Sequence, residues 1–277
     1  MLLTAETARL RKATLFKTLP ASAAHCETLH GLVSSPAMPA TRNKIEKNLQ
    51  HIRQNIAGAC LRAGRSPQEV AIVAVTKSAD MESIKAAVDL GLTDLAESRA
   101  GQLAERAVEL AQWLQRKRPE GPGVRWHMVG HLQRNKVKQV IEHVGTMHSV
   151  DSLRLAEEIN NRAEKLGRII DVLVEVNCSR EPHKFGCAVG AAGHLAELIC
   201  TLKHVRLVGL MTMAAQSTDP ETSRPTFIRL RELFCDIRHE RIGGEAFKHL
   251  SMGMSQDYPV AVEEGATMLR IGTALFE

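Results

Sequence analysis

Lys77 follows the first apolar run of the chain, Ala71-Ile-Val-Ala-Val-Thr76, and it is the sharpest chemical feature of the sequence. Its stem would run beside a core while the amine emerges at a strand end. A partly desolvated amine there is the kind that forms a Schiff base with a carbonyl. From this residue alone a lysine snorkelling out of a strand end is the preferred reading. The C-terminal residues change that balance. Arg270-Ile-Gly-Thr273 offers a cation, then a glycine (Gly272) whose backbone can approach a ligand closely, then a hydroxyl. Ser251-Met-Gly-Met-Ser255 offers a second small-residue turn ahead of a helix start near Pro259. Backbone N–H groups in two such turns make a nest for an anion such as a phosphate. Either turn alone would say little, because glycines also merely punctuate strands.

These residues can act together only if the fold brings them to one face, and the apolar pattern supplies such a fold. Apolar residues recur at helical spacing over Arg42–Ala63, and Gly64 closes that helix. Strands are then expected at Ala71–Thr76, Asp94–Ser98, Trp126–Gly130, Thr146–Val150, Val172–Asn177, Leu207–Met213, His249–Met254 and Met268–Ala274. Helices are expected between them at Met81–Leu90, Gln102–Arg116, Asn135–Val144, Leu153–Leu166, Ala191–Leu202, Glu221–Arg238 and Pro259–Glu264. Asp151 or Ser152 is the expected N-cap of the helix from Leu153. This alternation predicts an α/β protein, a single (β/α)8 TIM barrel, with a doubly wound open sheet as runner-up. No Gly-x-Gly-x-x-Gly follows the first strand, which counts against a dinucleotide-binding sheet.

Composition narrows the class further. Of 277 residues, 44% are apolar, 24% charged and only 3% aromatic, so an aliphatic interior is expected and a base-stacking platform is not. The net charge of +5 is not concentrated in any run, so no nucleic-acid partner is expected, while anionic ligands stay open. No apolar run reaches membrane-spanning length, and the six scattered cysteines fit reduced thiols, so a cytoplasmic location is expected. Residues 1–40 carry four basic and two acidic residues and no sustained amphipathic period. They read as a disordered tail or an over-extended start with Met38 as the initiator, ahead of a barrel over residues 41–277. His127, His131, Glu97 and Asp151 could be drawn as metal ligands, but nothing in their spacing demands it, and no metal is expected.

Eight stretches together resemble one known family: Ala74-Val-Thr-Lys77, Trp126-His-Met-Val-Gly-His-Leu-Gln-Arg-Asn-Lys136, His148-Ser-Val-Asp-Ser152, Val174-Glu-Val-Asn177, Lys184-Phe-Gly186, Gly209-Leu-Met-Thr-Met213, Ser251-Met-Gly-Met-Ser255 and Arg270-Ile-Gly-Thr-Ala274. They look like the pyridoxal phosphate homeostasis protein family, whose barrel is that of the alanine racemase N-terminal domain. The resemblance implies that Lys77 holds pyridoxal 5′-phosphate (PLP) as a Schiff base. It further implies that Ser251, Gly272 and Thr273 hold the phosphate and that Arg270 faces the pyridine nitrogen. An arginine there stays protonated and makes the cofactor a poor electron sink.

The implied role is a carrier and buffer of PLP without established catalysis, with apo PLP-dependent enzymes as possible recipients and a monomer as the expected state. A racemase-like PLP enzyme is the alternative. It is disfavoured because the sequence shows no further β domain after the last strand and has one tyrosine, Tyr258. Ala96-Glu97-Ser98 departs from the family's Gly-Glu-Asn, so a contact from that strand is in doubt. Lys184, in the loop after the fifth strand, is a candidate second amine for loading or release, although a loop lysine that only meets solvent is the more ordinary reading.

Overall fold

The computed structural model describes residues 38–121, 123–179, 181 and 183–277, with side chains from residue 41 onward. The expectation for residues 1–40 lies outside the described residues, except that Met38–Ala40 form the first turn of a helix. That helix, α1 (Met38–Arg62), buries Ile45, Leu49, Ile52 and Ile56, each no more than 4% exposed. The three- and four-residue spacing puts them on one stripe, and each buried aliphatic side chain contributes roughly 1.5–3 kcal/mol. Asn48 and Asn55 tie α1 to the C-terminal part of the chain, donating to the Leu275 carbonyl at 3.0 Å and the Tyr258 hydroxyl at 2.7 Å.

The strands are β1 (Ala71–Val75), β2 (Asp94–Glu97), β3 (Arg125–Met128), β4 (Val144–Val150), β5 (Ile170–Asn177), β6 (Cys187–Ala188), β7 (Val205–Met211), β8 (His249–Ser251) and β9 (Met268–Ile271). All pairings are parallel, and the order β1-β2-β3-β4-β5-β7-β8-β9 closes on itself through β9–β1 and β4–β5. The two-residue β6, too short to carry a periodic signal, pairs only with the end of β5. The helices α2 (Met81–Asp89), α3 (Ala100–Lys117), α4 (Val137–Val140), α5 (Leu153–Lys165), α6 (Val189–Cys200), α7 (Arg224–His239), α8 (Tyr258–Glu263) and α9 (Thr273–Phe276) complete the described elements. The fold is thus a closed (β/α)8 barrel. Among the described residues no helix is long and apolar enough to cross a membrane.

Three local expectations need correction. The helix expected over Asn135–Val144 shrinks to a 3-10 turn at Arg134–Lys136 and the short α4. After Val140 the chain turns, with the His143 amide donating to the Val140 carbonyl at 2.9 Å, and Val144 pairs with Trp126 to start β4 instead. The last two strands end early, at Ser251 and Ile271, and Thr273 opens α9. Ser152 stands at the N-cap of α5 as expected, although its side chain makes no capping bond among the described residues.

Most of the aliphatic core lies between strands and helices. The lumen differs from the aliphatic interior that composition suggested. It holds small apolar groups (Val73, Val75, Ala96 and Met268; Leu173, Val208 and Met211) beside buried His127, His148, Glu175, Ser251 and Arg270.

Gly209 shows how closely the strands approach. A Cβ there would lie 1.8 Å from the carbonyl oxygen of His249, its partner on β8. Overpacking costs about 1–3 kcal/mol where side chains can yield, and here the obstacle is backbone. Gly209→Ala should therefore lower stability by at least that amount in equilibrium denaturation. An unchanged midpoint would show that β7 and β8 can separate freely.

Candidate functional site

A cavity of about 400 Å³ opens at the C-terminal ends of the strands, within the size range of small-molecule sites. Lys77, Arg270, Gly272 and Thr273 all line it, as do Ser98, His131, Phe185 and Ser255. The β1–β9 register sets Ala74 beside Ile271, so the segments that follow, Lys77 on one side and Gly272-Thr273 on the other, emerge as neighbours. Gly272 lets the backbone come close to β1, and a Cβ there would sit 3.2 Å from the Val75 carbonyl oxygen.

Lys77 stands in the turn after β1 and is exposed. The partial desolvation expected of its amine is absent, because the residue lies two positions beyond the last strand residue, Val75, where the cavity opens to water. Its backbone is held firmly. Arg106 on α3 donates to the carbonyls of Thr76 and Ala79, the latter at 2.7 Å, and Gln102 donates to the Lys77 carbonyl at 3.2 Å. The fully buried Glu97 supplies the countercharge, accepting from Arg106 and from the Thr76 hydroxyl. Glu97 therefore supports the lysine turn from outside the lumen and is not a cavity residue.

The second turn is built around a buried carboxylate. Asp257 accepts from the Met254 amide at 2.7 Å and the Ser223 hydroxyl at 2.9 Å. Gly253 has φ +91, and a Cβ there would meet Ala261 at 2.5 Å, so the turn requires glycine twice over. Ser255 then accepts from the Ala274 amide at 3.1 Å, joining this turn to the one after β9.

Ser251 does not line the cavity. Its hydroxyl is buried below, bonded to Arg270 at 2.7 Å and His148 at 2.8 Å. The strand alternation turns Ser251 into the lumen, and the hydroxyl on the face is the one past the strand end, Ser255. Sequence reading quoted Ser255 without assigning it. Ser98, whose contact was in doubt, does line the cavity, and Gly130 packs directly on its backbone.

Lys184 Nζ lies 3.1 Å from Glu181 Oε1, and Lys184 does not line the cavity. Its neighbour Phe185 does, stacked on His131 with centroids 3.9 Å apart. The residues drawn as metal ligands are dispersed: Glu97 bonds Arg106, His127 bonds Asp94 and His148, and His131 lies 3.6 Å from Asp151.

Two buried ionisable groups lie at the lumen end of the site, Arg270 in the cavity lining and Glu175 outside it. Burial pulls Arg270 down to about 10, against the opposing pull of Glu175 and Asp257, so it remains a cation at neutral pH. Burial and the charge of Asp151 push Glu175 up to about 7, while Arg270 works the other way. Glu175 Oε2 is buried and has no hydrogen-bond partner among the described residues. The site can thus present one accessible amine, one fixed cation, and hydroxyl and backbone donors on two joined turns.

Residues 47–277 match the family described as alanine racemase, N-terminal domain. A pyridoxal phosphate homeostasis protein of Aquifex aeolicus is 37% identical, over 83% of this chain and 96% of the relative. Among solved structures, an unknown protein from Bifidobacterium adolescentis has a TM-score of 0.81 at 35% identity, covering 86% of this chain and 96% of that one. PipY of Synechococcus elongatus PCC7942, with PLP bound, has a TM-score of 0.69 at 28% identity, covering 84% of this chain and all of that one.

The Glu175 carboxyl makes a prediction about pH. Because the folded state holds its proton up to about pH 7 and the unfolded state only to about 4.5, stability falls as pH rises through that window. Glu175→Gln should remove this loss, making the protein more stable than the parent by about 3 kcal/mol near pH 8, with the advantage shrinking toward pH 4. Parallel denaturation curves for the two proteins at all pH values would show that Glu175 titrates normally.

Proposed function

The chain belongs to the pyridoxal phosphate homeostasis protein family, and on that premise we propose that its cavity binds PLP, with Lys77 as the attached amine. The observation that carries this reading is the convergence of the Lys77 amine with Arg270 and the joined Ser255 and Gly272-Thr273 turns around one cavity. The donor set suits the group: an amine for its aldehyde, hydroxyl and backbone donors for its phosphate, and a cation for its ring. Ser255, Gly272 and Thr273 would hold the phosphate. Ser251, occupied by Arg270 and His148, would serve the arginine instead. PLP, when bound, supplies an electron sink for amino-acid chemistry. Arg270 restrains that chemistry, since a guanidinium has donors only and cannot give a proton to the ring nitrogen at neutral pH.

The role proposed is that of a cytoplasmic carrier and buffer of the cofactor, acting as a monomer and without catalysis, from which apo PLP-dependent enzymes could draw. The sole tyrosine supports the non-catalytic part. Tyr258 is buried, bonds Asn55 of α1 and does not line the cavity, so it is not placed to act as a second acid or base.

The test begins with colour. Protein purified with PLP should be yellow, and borohydride should fix a stable adduct whose mass maps to Lys77. Lys77→Ala should lose the adduct. A parent protein that takes up no PLP would refute the reading.

Absence of catalysis is a separate expectation. With L- or D-alanine and other amino acids, the loaded protein should show no multiple turnover in a chiral assay. Sustained racemisation or transamination that depends on Lys77 would replace the carrier role with an enzymatic one.

A further inference from the structure

Five hydrogen bonds run in series through the lumen, and none belongs to the sheet ladder. Asp94 Oδ1, at the start of β2, is 3.0 Å from His127 Nε2. His127 Nδ1 is 2.8 Å from His148 Nε2, and His148 Nδ1 is 2.8 Å from Ser251 Oγ. Arg270 Nη1 reaches Ser251 Oγ at 2.7 Å, and Nη2 reaches the Thr212 carbonyl at 2.8 Å. The strands involved are β2, β3, β4, β8 and β9, and β4 and β8 are not neighbours in the closed order. The His148–Ser251 bond therefore crosses the barrel. His127, His148, Ser251 and Arg270 are all at most 5% exposed, so bulk water does not reach the bonds among them, and only the Asp94 end meets solvent.

With one proton on each imidazole, the acceptor-only carboxylate and the donor-only guanidinium fix the direction of every bond between them. A guanidinium has donors only, and an ionised carboxylate has acceptors only. Burial works to raise the Asp94 carboxyl, but the hydrogen bond from His127 and the charge of Arg125 work the other way, and Asp94 lies below the usual carboxylate range. His127 must then donate from Nε2, which leaves its Nδ1 to accept from His148 Nε2. His148 Nδ1 must in turn accept, and the Ser251 hydroxyl is the donor it faces. Ser251 spends its one hydrogen there and accepts from Arg270. With one proton on each imidazole, every donor and acceptor along the line is matched, with none left over. Burial first, and the charge of Arg270 with it, keep His148 well below its ordinary value and so in its neutral form.

We propose that Asp94, His127, His148 and Ser251 work as one positioning unit, a hydrogen-bond chain of fixed polarity that holds Arg270 as an oriented, permanently donating cation on the cavity floor. With Nη1 and Nη2 each bound on one side, the guanidinium plane is set, and Arg270 lines the cavity where the proposed function puts the cofactor ring. The orienting role rests on that proposed function, whereas the polarity of the chain does not. Asp94 is a positioning residue although it touches nothing in the cavity.

Nitrogen-15 NMR of histidine-labelled full-length protein reads the polarity without any ligand. Both His127 and His148 should carry hydrogen on Nε2 and a bare Nδ1. Asp94→Asn keeps the shape but removes the end that accepts only, so it should perturb the His148 nitrogens across the intervening ring. A His148 protonated on Nδ1, or one indifferent to Asp94→Asn, would overturn the chain. The orienting role is read in the PLP-loaded protein. Ser251→Ala and Asp94→Asn should both shift the visible absorption maximum, and Ser251→Ala should weaken PLP binding about tenfold. Borohydride should still fix PLP on Lys77 in both variants. An unmoved absorption maximum in both would overturn the orienting role. A parent protein that binds no PLP while showing the stated tautomers would instead refute the proposed function and leave the chain standing.

Discussion

The parallel pairing of β1 with β9 closes the barrel, and its register decides what the cavity contains. Ala71 to Ala74 lie beside Met268 to Ile271, nearly two hundred positions later in the sequence. The two segments that leave this pair at its C-terminal end carry the amine and the glycine-threonine turn. Had the pairing slipped by one residue, every side chain on β9 would change faces, and Arg270 would exchange the lumen for the helix layer. The functional group placement is therefore a consequence of closure, and no local propensity could supply it.

A buried guanidinium imposes the second layer of order. Unanswered N–H groups in the lumen would be costly, so the residues around Arg270 are polar and matched to it. This explains why a chain so poor in aromatic residues does not fill its barrel with aliphatic ones alone. Apolar side chains pack the space between sheet and helices, while the lumen combines small apolar groups with histidine, serine, glutamate and arginine. The same compensation recurs outside the barrel, where buried Glu97 answers Arg106, and at the cavity wall, where buried Asp257 holds the 254–257 turn.

The periodicity of the sequence carried the strand count, the barrel and the residues at the strand ends, because those depend on which positions are apolar. It misjudged ends and short pieces. The α4 region has helical spacing, yet Val144 is taken into β4 by its pairing with Trp126 of β3. Lys77, Arg270, Gly272 and Thr273 were legible as cavity residues because each lies at or just past a strand end. Ser251 was assigned to the cavity, but the alternation within β8 turns it inward. Telling it from Ser255 required knowing that the strand stops at Ser251. The cross-barrel line from Asp94 to Arg270 joins residues on strands far apart in the chain, so no spacing rule could reveal it.

The grip on the Lys77 turn bears on timing. Arg106 and Gln102 hold the carbonyls of Thr76, Lys77 and Ala79, so the anchor of this side chain is fixed while its arm is exposed. An exposed side chain reorients within picoseconds to nanoseconds, whereas a loop that must open first takes far longer. The amine can therefore sample its whole reach many times over without any backbone rearrangement. Once a ligand is in the cavity, its meeting with the amine is a search over a few torsion angles from a stationary pivot, with no backbone step in the way.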